Sequence, residues 1–282
     1  MGQRRSPGCG CPKNTDSTDF MELIENDVRV RQADLDRSGS ASVVGMARWL
    51  EDARLRLSLR RFERLVGRGG FSRFQILFVG QRVERLAHAG RTGDVVRVRT
   101  GIHRIGRSSF TYEQSAAIDG ASVTAGEATV VLRGARGPLE LPEELIADLS
   151  ELQSSDTPRS PATDRAGPER RRREHYERFA PLRARISDVD GNHHVNYLAQ
   201  LTWYDEAIAA SALDTVDPAG HRTILDLAPD AYAVHYLGEV TYPGDYEVGS
   251  RVRDDGADTL SYELAIFRGT DCLGFADATV SS

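Results

Sequence analysis

The sequence predicts an α+β fold built twice in tandem, and three observations carry that prediction. Arg31-Gln32-Ala33-Asp34-Leu35-Asp36 is echoed 154 positions later by Arg185-Ile186-Ser187-Asp188-Val189-Asp190, and at the same offset Trp49 matches Trp203, Glu51 matches Asp205 and Ala53 matches Ala207. Each copy leads into a helix-like run and then several strand-like segments, where Gly93-Asp94 pairs with Gly244-Asp245 and Tyr112-Glu113 with Tyr262-Glu263 at offsets of 151 and 150. The 282 residues have room for two domains of roughly 130 residues. A shared order with small slips is what duplication with loop insertions leaves behind. The expected division is a disordered tail at 1–19, a first unit at 20–152, a linker at 153–179 and a second unit at 180–282.

Taken in order, the tail is rich in Gly, Pro, Ser, Asp and Asn, which cannot bury enough apolar surface to order itself. Val28-Arg29-Val30-Arg31 alternates as a short strand does. Asp34 to Ser42 is a loop. A helix is predicted from Val43 to Val66, with Met46, Leu50, Ala53 and Leu57 making one apolar stripe and an Arg/Glu-rich face that suits solvent. Gly67, Gly69 and Gly70 end it. Strands follow at Phe74–Val79, Asp94–Thr100, Phe110–Ile118 and Glu127–Leu132; in the second of these Val96, Val98 and Thr100 share one face and Arg97 and Arg99 the other. Such a sheet needs a cover for its apolar face, and the long helix is the available one. Pro138 to Leu152 reads as a short helix. Glu169 to Phe179, with Arg170-Arg171-Arg172-Arg173, reads as a solvated helix face diluted by Glu169, Glu174 and Glu177. The second unit repeats the pattern: a strand at Leu182–Ile186, a helix at Tyr197–Ala212, and strands at Ala231–Tyr242, Gly249–Arg253, Leu260–Arg268 and Leu273–Val280.

Composition narrows the function classes. A net charge of −6 gives no general attraction to nucleic acid or anionic membrane. Cys9, Cys11 and Cys272 make no disulfide framework, so a cytoplasmic location is expected. Cys9-Gly-Cys11 lacks the further ligands a zinc site needs, and no metal or other cofactor is expected. No apolar run approaches the length of a signal or membrane span. With Lys13 as the only lysine, no Walker-type Gly-x-x-x-x-Gly-Lys exists, and no Gly-x-Ser-x-Gly elbow appears.

The chemistry concentrates in Asp188-Val189-Asp190-Gly191-Asn192-His193-His194-Val195-Asn196. A helix cap needs one Asp or Asn; this stretch has far more polar groups than capping requires. Hydrolysis of a thioester needs an activated water or a nucleophile, a polarised carbonyl and a place for the oxyanion. Asp190 can take a proton from water or attack directly. Asn192 and His194 suit orienting the water and Asp190. The helix that begins near Val195 directs free backbone N–H groups and its positive end at the loop, which makes Val195 and Asn196 candidate substrate-binding residues.

Asp190-Gly-Asn192-His-His194-Val195-Asn196, followed by Trp203 and Asp205-Glu206, resembles the motif of the hotdog thioesterases, and is most similar to that of double-hotdog acyl-ACP thioesterases. The resemblance implies two units side by side, each an antiparallel sheet wrapped round a central helix. It implies hydrolysis of fatty acyl thioesters on acyl carrier protein or CoA, with a catalytic set of Asp190, Asn192 and His194. Tyr236-Leu-Gly-Glu239 resembles the family's Tyr-x-x-Glu, which adds Glu239. The N-terminal unit of such enzymes shapes the acyl pocket, so Met46, Trp49, Leu50, Phe74, Ile76 and Phe78 are candidates; Trp49 and Trp203 are both taken as substrate-binding. Two departures stand out: Tyr197 replaces the usual Asn, and His193 stands where the CoA-type motif has Gly. The first copy has Ser40 and Ser42 at the positions of His194 and Asn196, so one functional site is expected, with Asp36 left in a poor constellation. Pairing into a homodimer is compatible with the fold. Two alternatives remain: a non-catalytic acyl-thioester-binding protein, and a hotdog enoyl hydratase or dehydratase, whose Asp-x-Asn-Pro-x-His spacing differs from that of Asp190 and His194.

Overall fold

The structure, a computed structural model, describes residues 24–67, 75–134, 137–153, 167–191, 193–213, 227–254 and 259–281. The expected tail and residues 154–166 of the expected linker lie outside them. The first half runs β1 (Ile24–Arg29), α1 (Val43–Gly67), β2 (Gln75–Arg85), β3 (Val95–Ile105), β4 (Ser109–Ile118), β5 (Ala121–Gly134), the two-residue β6 (Gly137–Pro138) and α2 (Glu143–Ser150). The second runs β7 (Arg178–Arg183), α3 (Tyr197–Leu213), β8 (Ala231–Tyr236), β9 (Asp245–Asp254), β10 (Thr259–Arg268) and β11 (Asp271–Ser281).

All the described strands join one sheet in the order β1-β3-β4-β5-β2-β8-β11-β10-β9-β7, with β6 paired to β5. Every pairing is antiparallel. The order is a palindrome: read from either end, the strands meet in the same sequence within each half. The halves join edge to edge where β2 pairs β8, from Gly80↔His235 to Glu84↔Ala231. That junction removes two edges that would otherwise expose unpaired backbone.

Period-two patterning places the sheet's apolar face. In β3, Val96, Val98 and Thr100 are fully buried, while Arg97 and Arg99 point outward and meet Asp27 and Glu25 of β1 across the strand pair at 3.2 and 2.8 Å. The inner face covers α1 and α3. Met46, Trp49, Leu50 and Ala53 of α1 and Leu201, Trp203, Tyr204 and Ile208 of α3 belong to one core continuous across both halves. Full burial of each large side chain stabilises by roughly 1.5–3 kcal/mol. Gly126 on β5 lets α1 lie close: a Cβ there would sit 2.6 Å from Leu50 Cδ1 and 2.7 Å from the Arg82 carbonyl. The far end of α1 packs under α2, where Leu57, Leu145 and Leu149 join Phe110 and Leu132.

Residues 167–179, expected as part of the linker, are folded against the second half. Pro168–Arg171 and Arg173–His175 are 3₁₀ turns, and β7 begins at Arg178. The arginine run is not a solvated helix face. Arg170 is buried and donates to Asp277 at 2.8 Å and to the Ala276 carbonyl at 2.9 Å, and Arg173 meets Glu247 at 2.8 Å. The acidic partners on β9, β10 and β11 are far away in sequence, so the run looks solvated when read alone. Likewise the charged face of α1 is not wholly solvent-facing: Arg54 is 1% exposed.

Candidate active site

The two loop copies fold alike, bond for bond. In the first, the Asp36 amide donates to the Ser40 carbonyl at 2.7 Å and the Ser42 amide to the Asp34 carbonyl at 2.9 Å. In the second, the Asp190 amide donates to the His194 carbonyl at 2.9 Å and the Asn196 amide to the Asp188 carbonyl at 2.8 Å. The first carboxylate of each copy is structural: Asp34 accepts from the Arg31 amide at 2.9 Å, and Asp188 from the Arg185 amide at 3.0 Å. The second carboxylate of each copy sits in the tight loop ahead of a helix. The same residue in each loop is left-handed, Gly39 at φ +81 and His193 at φ +64. Glycine adopts that conformation freely; histidine does so at a cost.

What fills the two loops differs. In the first, Asp36 is tied down: it accepts from the Ser38 amide and hydroxyl at 2.8 and 2.6 Å and pairs with the buried Arg85 at 3.3 Å. In the second, Nε2 of His194 lies 3.3 Å from Oε2 of Glu239. Glu239 is brought there by a backbone bridge in which the Val195 amide donates to the Val240 carbonyl at 2.8 Å; His194 pairs with Thr241 in the same bridge. At the 151-residue offset Glu239 corresponds to His88, whose Nδ1 lies 2.8 Å from Arg85. The acid–imidazole pair of the second half thus has Ser40 and His88 as its counterpart in the first.

Helix α3 starts at Tyr197. Asn196 caps it, its Oδ1 accepting from the Leu198 amide at 2.7 Å. Val195 is buried at the helix start. The backbone bond of Asp190 to His194 and the His194–Glu239 pair thus lie just ahead of Val195 and Asn196 at the start of α3; Asn192 lies outside the described residues, as does Phe74. Trp49 and Trp203 lie inside the core. Both are 1% exposed; the Trp49 indole N–H donates to Asp34 at 3.1 Å, and Trp203 packs on Tyr246 at 5.4 Å. Trp49 thereby braces the first loop.

The sequence singled out no role for three further residues. Tyr197, the departure from the usual Asn, accepts a hydrogen bond from Arg54 of α1 at 2.9 Å and packs on Phe78 at 4.7 Å. Glu51, one turn before Arg54, lies close to the side chains of Tyr197 and Asn196 and to Asp190. Burial, ahead of these contacts, pushes the Glu51 carboxyl above the usual range. The available signal was the match of Glu51 to Asp205. Asp205 mirrors it on α3: it shares a cavity with Asp36 of the first loop and accepts from Tyr232 of β8 at 2.5 Å. Burial pushes its carboxyl up to about 6. Beside it, a cavity of about 840 Å³ is lined by Asp36, Arg37, Arg48, Arg85 and Asp205 among others.

No family model matches the chain, and no curated protein matches it. Solved structures do. A structure described as an oleoyl thioesterase from Lactobacillus plantarum superposes with a TM-score of 0.71 at 17% identity, over 93% of this chain and 96% of that one. The 12:0-ACP thioesterase from Umbellularia californica gives 0.68 at 14% identity, over 91% and 96%. An acyl-ACP thioesterase from Bacteroides thetaiotaomicron gives 0.69 at 12% identity, over 92% and 98%. The likeness spans both halves, and the fold is the double hotdog.

Proposed function

We propose that the chain hydrolyses fatty acyl thioesters, carried on acyl carrier protein or CoA, to the free acid and thiol. The observation that supports the reading is the His194–Glu239 pair at 3.3 Å, from two segments, in the loop that carries Asp190 ahead of α3. Asp190 accepts the proton of a water that adds to the thioester carbonyl, or adds to that carbonyl itself with water then cleaving the mixed anhydride. His194, held at 3.3 Å from Glu239, orients the water and Asp190, and Asn192 is assigned the same task. The first free amides of α3 and the positive end of its dipole face the developing oxyanion. The thiolate leaves with the proton taken from water. Each of the three similar structures is described as a thioesterase, which supports this reading over hydration.

The experiment is thiol release from acyl-CoA and acyl-ACP substrates of graded chain length. Release that depends on Asp190 supports the reading and reports chain length and carrier. A rise in melting temperature with acyl-CoA but no thiol from any substrate would instead identify a binding protein.

A further inference from the structure

We propose that Tyr197 is a specificity-determining residue: its ring, pinned to Arg54 and packed against Phe78 and Tyr236, closes the cleft beside the Asp190 loop and limits the acyl group to short chains. This deepens the thioester-hydrolysis reading and rests on it.

Tyr197 is the first residue of α3, one position after the cap Asn196. Its side chain crosses from α3 to α1, where the hydroxyl accepts from Arg54 Nη2 at 2.9 Å. The ring also meets both strands that join the two halves: Phe78 of β2 at 4.7 Å and Tyr236 of β8 at 6.1 Å between ring centroids. From one helix, Tyr197 thus touches the other helix and the two central strands. A thioester carbonyl at the head of α3 has its carrier on the solvent side, where Gly191 and His193 are exposed. The acyl chain is left the inward direction, and there it meets the ring.

The ring is a wall rather than a flap, because its hydroxyl end is anchored in a buried polar network. Arg54 is buried, and its Nη1 donates to Gln114 Oε1 at 2.6 Å. The Gln114 NH₂ group donates in turn to the Leu50 carbonyl and to Thr100 Oγ1 at 2.9 and 2.8 Å. The guanidinium also lies over the Phe78 ring, 5.5 Å from its centroid. Among the described residues the Arg54 Nε has no hydrogen-bond partner. Swinging Tyr197 aside would strip a further partner from a buried charge. A long apolar chain that displaced the ring would lie against that same charge, which apolar surface cannot solvate.

The first half presents the corresponding space without the ring. Val43 stands at the position of Tyr197 and Ile208 at that of Arg54, both at the 154-residue offset. Arg85 and Pro229 stand 151 residues from Tyr236 and Phe78. Here the cavity of about 840 Å³ opens beside Asp36, with Val43, Arg85 and Pro229 in its lining. The scaffold therefore leaves room beside the loop carboxylate when the residue that opens the helix is small. In the second half Tyr197, Phe78 and Tyr236, with the Arg54 guanidinium, stand at the matching positions.

The test is kcat/KM on butyryl-, octanoyl- and myristoyl-CoA, below micelle-forming concentrations, for wild type, Tyr197→Val and Phe78→Ala. Melting temperatures are taken with and without each ester. Wild type is expected to turn over myristoyl-CoA at least about tenfold less well than the better of the two shorter esters, the cost of forcing methylenes into a filled site. Tyr197→Val, which gives the second half the residue of the first, is expected to bring that ratio to within about threefold or to reverse it. Phe78→Ala leaves the polar network intact and is expected to move the ratio the same way; it decides the matter should Tyr197→Val fail to fold. A wild type that prefers myristoyl-CoA, or a folded Tyr197→Val with the wild-type ratio, would overturn the role of Tyr197 while leaving thioester hydrolysis standing. A wild type that releases no thiol would overturn hydrolysis instead. The rise in melting temperature would then report the length preference, and a rise that is largest with myristoyl-CoA, or absent with all three esters, would overturn the role of Tyr197 as well.

Discussion

The two loops share a backbone and differ in what their acidic residue is made to face. Asp36 faces a buried arginine and two donors from Ser38. Asp190 faces a half-buried loop in which His194 is paired with Glu239 and a second carboxylate, Glu51, stands nearby. A carboxylate whose oxygens are already taken by a guanidinium and by hydroxyl and amide donors has little room to bind a water. The comparison teaches that duplication preserved a scaffold able to present an Asp at the head of a helix, and that neighbouring side chains decide whether that Asp is a structural anchor or a reactive group.

The comparison can be sharpened from the second half outward. Replacing His194 by Ala removes the imidazole that has no counterpart in the first loop, and kcat should fall about 10²–10³-fold, the range of a positioned acid–base group. Glu239→Gln, which leaves His194 its contact but not the charge, should cost about tenfold. Steady-state thiol release checks both, and a loss with Glu239→Gln as large as with His194→Ala would mean that the pair acts through its charge alone.

The first half should answer in stability instead. The Asp205 carboxyl is raised by burial to about 6, from about 3.9 in an unfolded chain. Its neutral form therefore stabilises the fold. That contribution is fully present below about pH 4 and is lost as pH rises through about 6, a difference of about 2–3 kcal/mol. Asp205→Asn should accordingly flatten the stability profile between pH 4 and 7, measured by denaturant unfolding against wild type. A variant profile parallel to wild type would show that Asp205 is not held neutral.

The smallest effect is expected at the left-handed residue. His193→Gly gives the second loop the residue the first already has at Gly39, relieving backbone strain of up to about 1 kcal/mol. The reverse change, Gly39→His, should destabilise by a similar amount. Thermal unfolding of the pair tests whether the two positions are equivalent.

Much of this was legible in the sequence for physical reasons. The stripe Met46, Leu50, Ala53 and Leu57 has helical period and does lie on α1. The alternation of Val96, Val98 and Thr100 does mark the inner face of β3. The polar surplus from Asp188 to Asn196 does sit at the head of α3. What escaped notice depends on partners distant in the chain. Arg170 looks solvated until Asp277 and the Ala276 carbonyl close round it. Arg54 and Glu51 look like an ordinary wet helix face until α3 is laid against α1. That Trp49 is tied through its indole N–H to Asp34 of the first loop also shows only once the helix is folded against that loop.

The central claim is that one of the two loops works. It is tested most directly by kcat for Asp190→Asn and Asp36→Asn on the same thioester, with stability measured alongside. Asp190→Asn should lower kcat by about 10³-fold or more with little change in melting temperature. Asp36→Asn should keep kcat within about twofold while losing about 2 kcal/mol of stability, because the buried Arg85 loses the nearer of its two carboxylates and keeps only Asp230 at 3.8 Å. Comparable losses of turnover in the two variants would contradict the account and mean that both loops carry the reaction.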